Sequence, residues 1–222
     1  MHEVTPEARR ILWGAGTPRT MRAHWILHEV GLEYERRPIG SRTGETQTDA
    51  FTRINPSQKI PVLQDGEFTL TESAAIVTYV GGTYGAQRGL LPAPDTKARA
   101  NYYQWCFFLM MEFDANALYV LRKHTDLKAI YGEAPNAVLA ARKQLEKQAQ
   151  VVNKTLAARG PFILGESFTG ADILLTTCLV SAMRRGIELP DALVKYLERI
   201  TPREAYQQAL GTINRRERLK IP

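Results

Sequence analysis

The sequence predicts an α/β N-terminal part followed by an all-α C-terminal part, and three observations lead there. The first 83 residues read in the order strand, helix, strand, hairpin, helix. Residues 84–95 hold Gly85, Gly89 and Pro92-Ala93-Pro94, the composition of a linker. Beyond them every apolar pattern is helical. The expected division is therefore residues 1–83, a linker over 84–95, and a helical domain over 96–222.

Arg10-Ile11-Leu12-Trp13 forms the first strand, ending at Gly14-Ala15-Gly16. A helix follows from about Pro18, where a proline costs nothing because its missing N–H would lack a partner anyway. Met21, Trp25, Ile26 and Leu27 make its apolar face and Gly31 ends it. Leu32-Glu33-Tyr34-Glu35 alternates as a second strand. Residues 41–49 are polar and lead to a short helix near residues 50–53.

Residues 54–76, INPSQKIPVLQDGEFTLTESAAI, organise this part of the chain. Ile60-Pro61-Val62-Leu63 begins a strand at a residue that cannot donate to a ladder. The Ile60–Pro61 bond can be a trans edge-strand bond or a cis bond; the cis form would leave the N–H and C=O of Ile60 facing outward, ready for an extended peptide. Gln64-Asp65-Gly66-Glu67 carries an Asp-Gly hairpin signal before Phe68–Leu70. Thr69 and Glu72 have capping-box spacing, so a helix begins near Glu72 and stops at Gly81-Gly82. A helix entrance suits a carboxylate, the Ser73 hydroxyl adds a donor, and Glu72 can accept from an ammonium. Glu72 and Ser73 can equally serve only as caps.

Residues 97–121 are aromatic on more than one side, as a central buried helix would be. A long helix spans about 136–158. Thr169 and Asp172 repeat the capping-box spacing ahead of Ile173-Leu174-Leu175, and loss of Asp172 should cost on the order of 1 kcal/mol or more. Pro190 and Pro202 mark two later helix starts.

Composition excludes several classes. Of 222 residues, 44% are hydrophobic and 23% charged, ordinary for a globular protein. No apolar run approaches the ~20 residues of a membrane helix, and the first residues, Met1 to Glu7, lack a signal peptide's apolar segment, so a cytoplasmic location is expected. The formal charge of +6 is spread along the chain and not gathered on one element with stacking aromatics, against nucleic-acid binding. The Arg215-Arg216-Glu217-Arg218 tail reads as a solvated end. Cys106 and Cys178 are expected as buried thiols, with no Cys-x-x-Cys. His24 and His28 are four apart but lack the H-E-x-x-H order, so packing or surface roles and no metal are expected.

Asn55-Pro56, Lys59-Ile60-Pro61, Leu63, Thr71-Glu72-Ser73 and Ala75-Ile76 together fill the pattern N-P-x-x-[KR]-[VI]-P-x-L … [TS]-[EQ]-S-x-A-I. This closely resembles the N-terminal domain of cytosolic glutathione transferases, over about residues 10–210 of the chain. The resemblance implies a thioredoxin-like first domain, glutathione as cosubstrate, a hydrophobic electrophile as second substrate and a homodimer. It implies that Ile60, beside a cis Pro61, pairs its backbone with the cysteinyl unit. Glu72 and Ser73 would hold the γ-glutamyl end and Lys59 the glycine carboxylate. On residues 97–121, Tyr102, Trp105 and Phe108 would line the hydrophobic pocket.

The chain departs from the family where the thiol is activated. A free cysteine thiol titrates near ~8.5, and a hydroxyl or helix N-terminus aimed at the sulfur lowers that value. Relatives use Tyr, Ser or Cys at the first strand-to-helix turn; Gly16-Thr17-Pro18-Arg19-Thr20-Met21-Arg22 has none. Thr17 is the first candidate and Thr20 the second, with Arg19 a source of positive charge; Thr17 as helix N-cap alone stands beside the catalytic reading. The expected function is a glutathione transferase. The alternatives are a non-catalytic binding or scaffold protein, and a glutathione-dependent isomerase or peroxidase on the same fold.

Overall fold

A computed structural model describes residues 9–218, with side chains to residue 213. Met1 to Glu7 and the Arg215–Arg218 side chains lie outside the described residues. The described residues up to Arg88, together with those from Arg203, form one compact unit, and residues 89–202 form another. The last helix thus groups with the α/β part, whereas the sequence expectation placed it in the helical domain.

In the first unit, β1 (Arg10–Trp13), β2 (Glu35–Arg37), β3 (Val62–Asp65) and β4 (Phe68–Leu70) form one sheet in the order β2-β1-β3-β4. β1 runs parallel to β2 and antiparallel to β3, with Trp13 opposite both Arg37 and Val62. The helices are α1 (Pro18–Val30), α2 (Asp49–Ile54) and α3 (Ser73–Thr83), with α10 (Glu204–Arg218) packed on α1. One ion pair and one aromatic contact fix α10. The Glu29 carboxylate, 7% exposed, accepts both Arg203 Nε and Nη2 at 2.8 Å and Trp25 Nε1 at 2.9 Å. Trp25 also meets Tyr206 edge-on at 4.8 Å.

Several elements differ from the sequence expectation. β2 starts at Glu35, not Leu32, because Gly31 closes α1 in the left-handed region at φ 72° and Tyr34 is drawn onto the histidines of α1. The hairpin turns on Gly66-Glu67, since Asp65 pairs with Phe68 inside the ladder. Asp65 is buried there, bonded to Tyr79 Oη at 3.0 Å and to Tyr84 Oη, with Arg10 Nε 3.3 Å away. The capping box expected at Thr69 and Glu72 does not form: Thr69 lies in β4 and α3 begins at Ser73. Gly81 and Gly82 lie inside α3, which continues to Thr83.

In the second unit, α4 (Lys97–Phe108) runs into a π-helix (Leu109–Leu118) and then α5 (Tyr119–His124). The short α6 (Lys128–Tyr131), α7 (Pro135–Arg159), α8 (Gly170–Met183) and α9 (Asp191–Ile200) follow. The 97–121 stretch is not buried all round: Tyr103, Phe107 and Met111, spaced four apart, are exposed. The Thr169–Asp172 capping box forms at the start of α8, which is buried almost throughout. Cys106 and Cys178 are buried and not joined in a disulfide, and burial pushes the Cys106 thiol up to about 12.

Candidate functional site

The first unit brings three chain segments together, and Gly14 shows how closely. Its φ is +113°, and a Cβ there would lie 2.7 Å from Ile60 Cβ and 2.9 Å from Thr20 Cγ2. Only a residue without a side chain lets the β1–α1 turn lie against Ile60 this way. The turn is held from the other side by Gly14 N–H donating to the Arg37 carbonyl at 2.8 Å and Ala15 N–H to that of Ile39 at 3.0 Å.

At the head of α1, Thr17 is extended (φ −132°, ψ 154°) and is the N-cap. Its Oγ1 accepts from the Thr20 N–H at 3.1 Å, and Thr20 Oγ1 accepts from the Thr17 N–H at 3.1 Å. Thr20 is fully buried and its hydroxyl donates to the Thr17 carbonyl at 2.8 Å, so its proton is committed inside the cap. The Thr17 hydroxyl has a weaker acceptor, Thr20 Oγ1 at 3.2 Å. Of the two candidate hydroxyls, Thr17 is the one whose proton can be redirected at little cost.

The Ile60–Pro61 bond is cis. Among the described residues, neither the N–H nor the C=O of Ile60 takes part in a backbone hydrogen bond. Its side chain is buried with Phe51 and Val62, against Trp13, Ile39 and Ile54. Asn55 shapes the approach: its Oδ1 accepts from Ser57 N–H at 3.1 Å and its Nδ2 donates to the Lys59 carbonyl at 2.8 Å. Lys59 is exposed at the lip of this edge.

Glu72 precedes α3 in a conformation that side chains rarely adopt, φ 64° and ψ 114°. Such a residue costs on the order of 1–3 kcal/mol and persists where the surroundings impose it. Its carboxylate is exposed, and it does not cap the helix. The first-turn N–H groups of α3 thus have no side-chain cap among the described residues. Ser73 is buried at 5% exposure and accepts a hydrogen bond from Arg22 Nη1 at 3.1 Å. Sequence reasoning missed Arg22, because nothing local ties it to a serine 51 positions away.

His24 has the packing role expected of it, with partners that the sequence did not indicate. Its Nε2 N–H donates to the Gly14 carbonyl at 3.1 Å, and its Nδ1 accepts from Tyr34 Oη at 2.7 Å. His28 Nε2 lies 3.4 Å from the same tyrosine oxygen. The i,i+4 histidine pair therefore brackets a tyrosine and fixes the carbonyl of the turn. Burial lowers the His24 pKa to about 4, opposed by the Gly14 bond and helped by His28 and Arg36.

The three aromatic residues expected to meet an electrophile belong to α4. Tyr102 is fully buried and Trp105 is 7% exposed. Phe108 is half-buried and meets Trp105 edge-on at 5.2 Å.

A four-stranded mixed sheet in the order β2-β1-β3-β4 with a cis proline leading into β3 defines a thioredoxin-like fold. Comparison with known proteins is specific. The profile of the glutathione S-transferase N-terminal domain matches residues 9–82 and that of the C-terminal domain residues 104–204. Glutathione S-transferase 3 of Zea mays is 32% identical over 205 residues, covering 89% of this chain and 90% of the relative. A theta-class glutathione S-transferase of Xanthomonas axonopodis pv. citri, solved with glutathione bound, superposes with a TM-score of 0.79 at 26% identity over 91% of this chain and 97% of that one. A glutathione transferase of Phanerochaete chrysosporium, in complex with oxidised glutathione, shares the fold with a TM-score of 0.84 at 21% identity, over 94% and 97% of the two chains. The chain belongs to the glutathione S-transferase family.

Proposed function

We propose that this protein binds glutathione along the Ile60 edge, stabilises its thiolate and transfers the sulfur to a hydrophobic electrophile. The observation that carries this reading is the adjacency of a free main-chain edge at Ile60 to the β1–α1 turn. Ile60 would pair with the cysteinyl backbone, its N–H donating to the peptide carbonyl. The Ser73 hydroxyl and the uncapped N–H groups of α3 would take the γ-glutamyl carboxylate, Glu72 the ammonium, and Lys59 the glycine carboxylate.

The thiolate would accept a hydrogen bond from the Thr17 hydroxyl, which would turn from its long contact to Thr20 towards the charged acceptor, aided by the N-terminus of α1. Thr20 would act behind it by holding Thr17 in place. Catalysis is then a lowered thiol pKa plus proximity of two bound substrates, with no covalent protein intermediate. The apolar substrate is assigned to aromatic surface of the helical unit, with the half-buried Phe108 facing it and the buried Trp105 and Tyr102 supporting that ring. A homodimer is proposed through an exposed apolar stripe, Phe107 (69% exposed) and Met111 (55%) with Tyr103. Detoxification in the cytoplasm is the setting this chemistry suits.

A second reading, glutathione binding without turnover, is favoured by one observation: the Thr17 hydroxyl already serves as a helix cap. Turnover of an activated aryl halide by the wild-type protein and by Thr17→Val separates the two. The enzyme reading expects measurable turnover that falls at least about tenfold in the variant. Glutathione binding with no turnover in either protein establishes the second.

A further inference from the structure

We infer that Arg22 is a positioning residue that makes Ser73 a dedicated donor for a carboxylate, and so sets the preference for the α-carboxylate of the γ-glutamyl group. The inference rests on the glutathione reading above and adds a residue to it. Arg22 projects from α1 and is 1% exposed, yet its Nη1 reaches Ser73 Oγ at 3.1 Å. A serine hydroxyl has one hydrogen and two lone pairs. A guanidinium has only donors, so it must occupy a lone pair of Ser73 and cannot accept the serine hydrogen. The hydrogen is thereby left for an acceptor at the mouth of α3. A ligand ammonium could reach only the second lone pair and would meet the like charge of the guanidinium, whereas a carboxylate takes the hydrogen and is attracted by that charge.

The charge matters as much as the hydrogen bond. Ser73-Ala74-Ala75, the first turn of α3, carries no cationic side chain. The cation that meets Ser73 comes instead from the neighbouring helix α1, through the buried Arg22. Sheltered from water, it polarises the hydroxyl in the direction that strengthens donation to an anion. An arginine stays protonated throughout the working pH range, so the preference does not titrate away.

The test compares two peptides by calorimetry. One is glutathione; the other is γ-aminobutyryl-cysteinyl-glycine, which lacks only the α-carboxylate. Wild type, Arg22→Gln, Arg22→Lys, Ser73→Ala and the Arg22→Gln/Ser73→Ala double variant are compared, each checked for folding by circular dichroism. Wild type should prefer glutathione. Arg22→Gln should weaken glutathione about tenfold and leave the analogue within about twofold. Arg22→Lys should recover part of the preference, and the double variant should bind no worse than Ser73→Ala by more than about twofold. Equal loss for both peptides in Arg22→Gln, or independent losses in the double variant, overturns the inference. If Arg22→Gln does not fold, Arg22→Lys decides: a smaller preference for glutathione with unchanged analogue binding supports it, and an unchanged preference or an equal loss overturns it. A wild type that binds both peptides equally refutes the head-group site itself, a distinct outcome from a wild-type preference that Arg22 does not influence.

Discussion

Thr17 and Thr20 exchange hydrogen bonds at the head of α1, each Oγ1 accepting the other's backbone N–H at 3.1 Å. The pair stabilises the helix that presents the turn, and only one of its two hydroxyl protons is held by a short bond to a carbonyl. Thr17→Ala should therefore have two separable effects. Cap loss should lower stability by about 1 kcal/mol, measured by urea denaturation, and turnover should fall further than glutathione affinity. Thr17→Ser, which keeps the hydroxyl, should restore both. Turnover that is unchanged in Thr17→Ala would leave that residue a cap only.

Glu72 sits at φ 64° without a glycine's freedom. Glu72→Gly should raise stability by roughly 0.5–1 kcal/mol, relief of strain outweighing the added entropy of the unfolded chain. The same change should weaken glutathione binding, because the acceptor for its ammonium is lost. Thermal melting and calorimetry on one preparation check the opposed signs. A variant that loses stability would show that Glu72 is not strained.

Asp172 anchors the second unit. It is fully buried and accepts from the N–H of Ile163 at 3.0 Å, the N–H of Thr169 at 2.9 Å and Tyr196 Oη at 2.9 Å. The Thr169 hydroxyl also donates to it at 3.2 Å, so removing it strands four buried donors together. Asp172→Ala should cost about 3 kcal/mol or more, above the ~1 kcal/mol of an ordinary cap. Equilibrium denaturation measures it, and a cost near the cap value alone would contradict the network.

His24 gives a pH dependence whose sign follows from burial. Its folded pKa is about 4 against 6.5 unperturbed. Between those values the unfolded chain binds a proton that the folded chain refuses, so stability rises with pH across the window. The contribution is full above pH 6.5 and is lost as pH falls towards 4, at most roughly 3 kcal/mol. His28, lowered by burial and Arg36, acts in the same direction. Melting temperature against pH should be flatter in His24→Asn over pH 4–6.5. An identical slope would place the titration elsewhere.

The legible parts of the fold were those written in local chemistry. Pro18 at a helix start, Gly31 in the left-handed region and the Thr169–Asp172 box each impose conformation on a few neighbours, and the structure keeps them. Local signals misled where a distant partner competed. Asp65 looked like a turn residue, but Tyr79, Tyr84 and Arg10 hold it in the ladder. Thr69 looked like a cap, but strand pairing with Gln64 claimed it. Gly81-Gly82 looked like a stop, but they continue α3 to Thr83. In the candidate site, Ile60, Pro61 and Ser73 were legible because the motif is contiguous. The role of Arg22 and the partners of His24 were not, since only the fold brings them close: Ser73 from 51 positions away, and Gly14 and Tyr34 from 10.

The ionisation of bound glutathione tests the account most directly. Titrating the ultraviolet thiolate band of glutathione held at saturating protein should give a pKa below about 7.5, against ~8.5 for a free cysteine thiol. Saturable binding with a thiol that still titrates near ~8.5 would contradict the account.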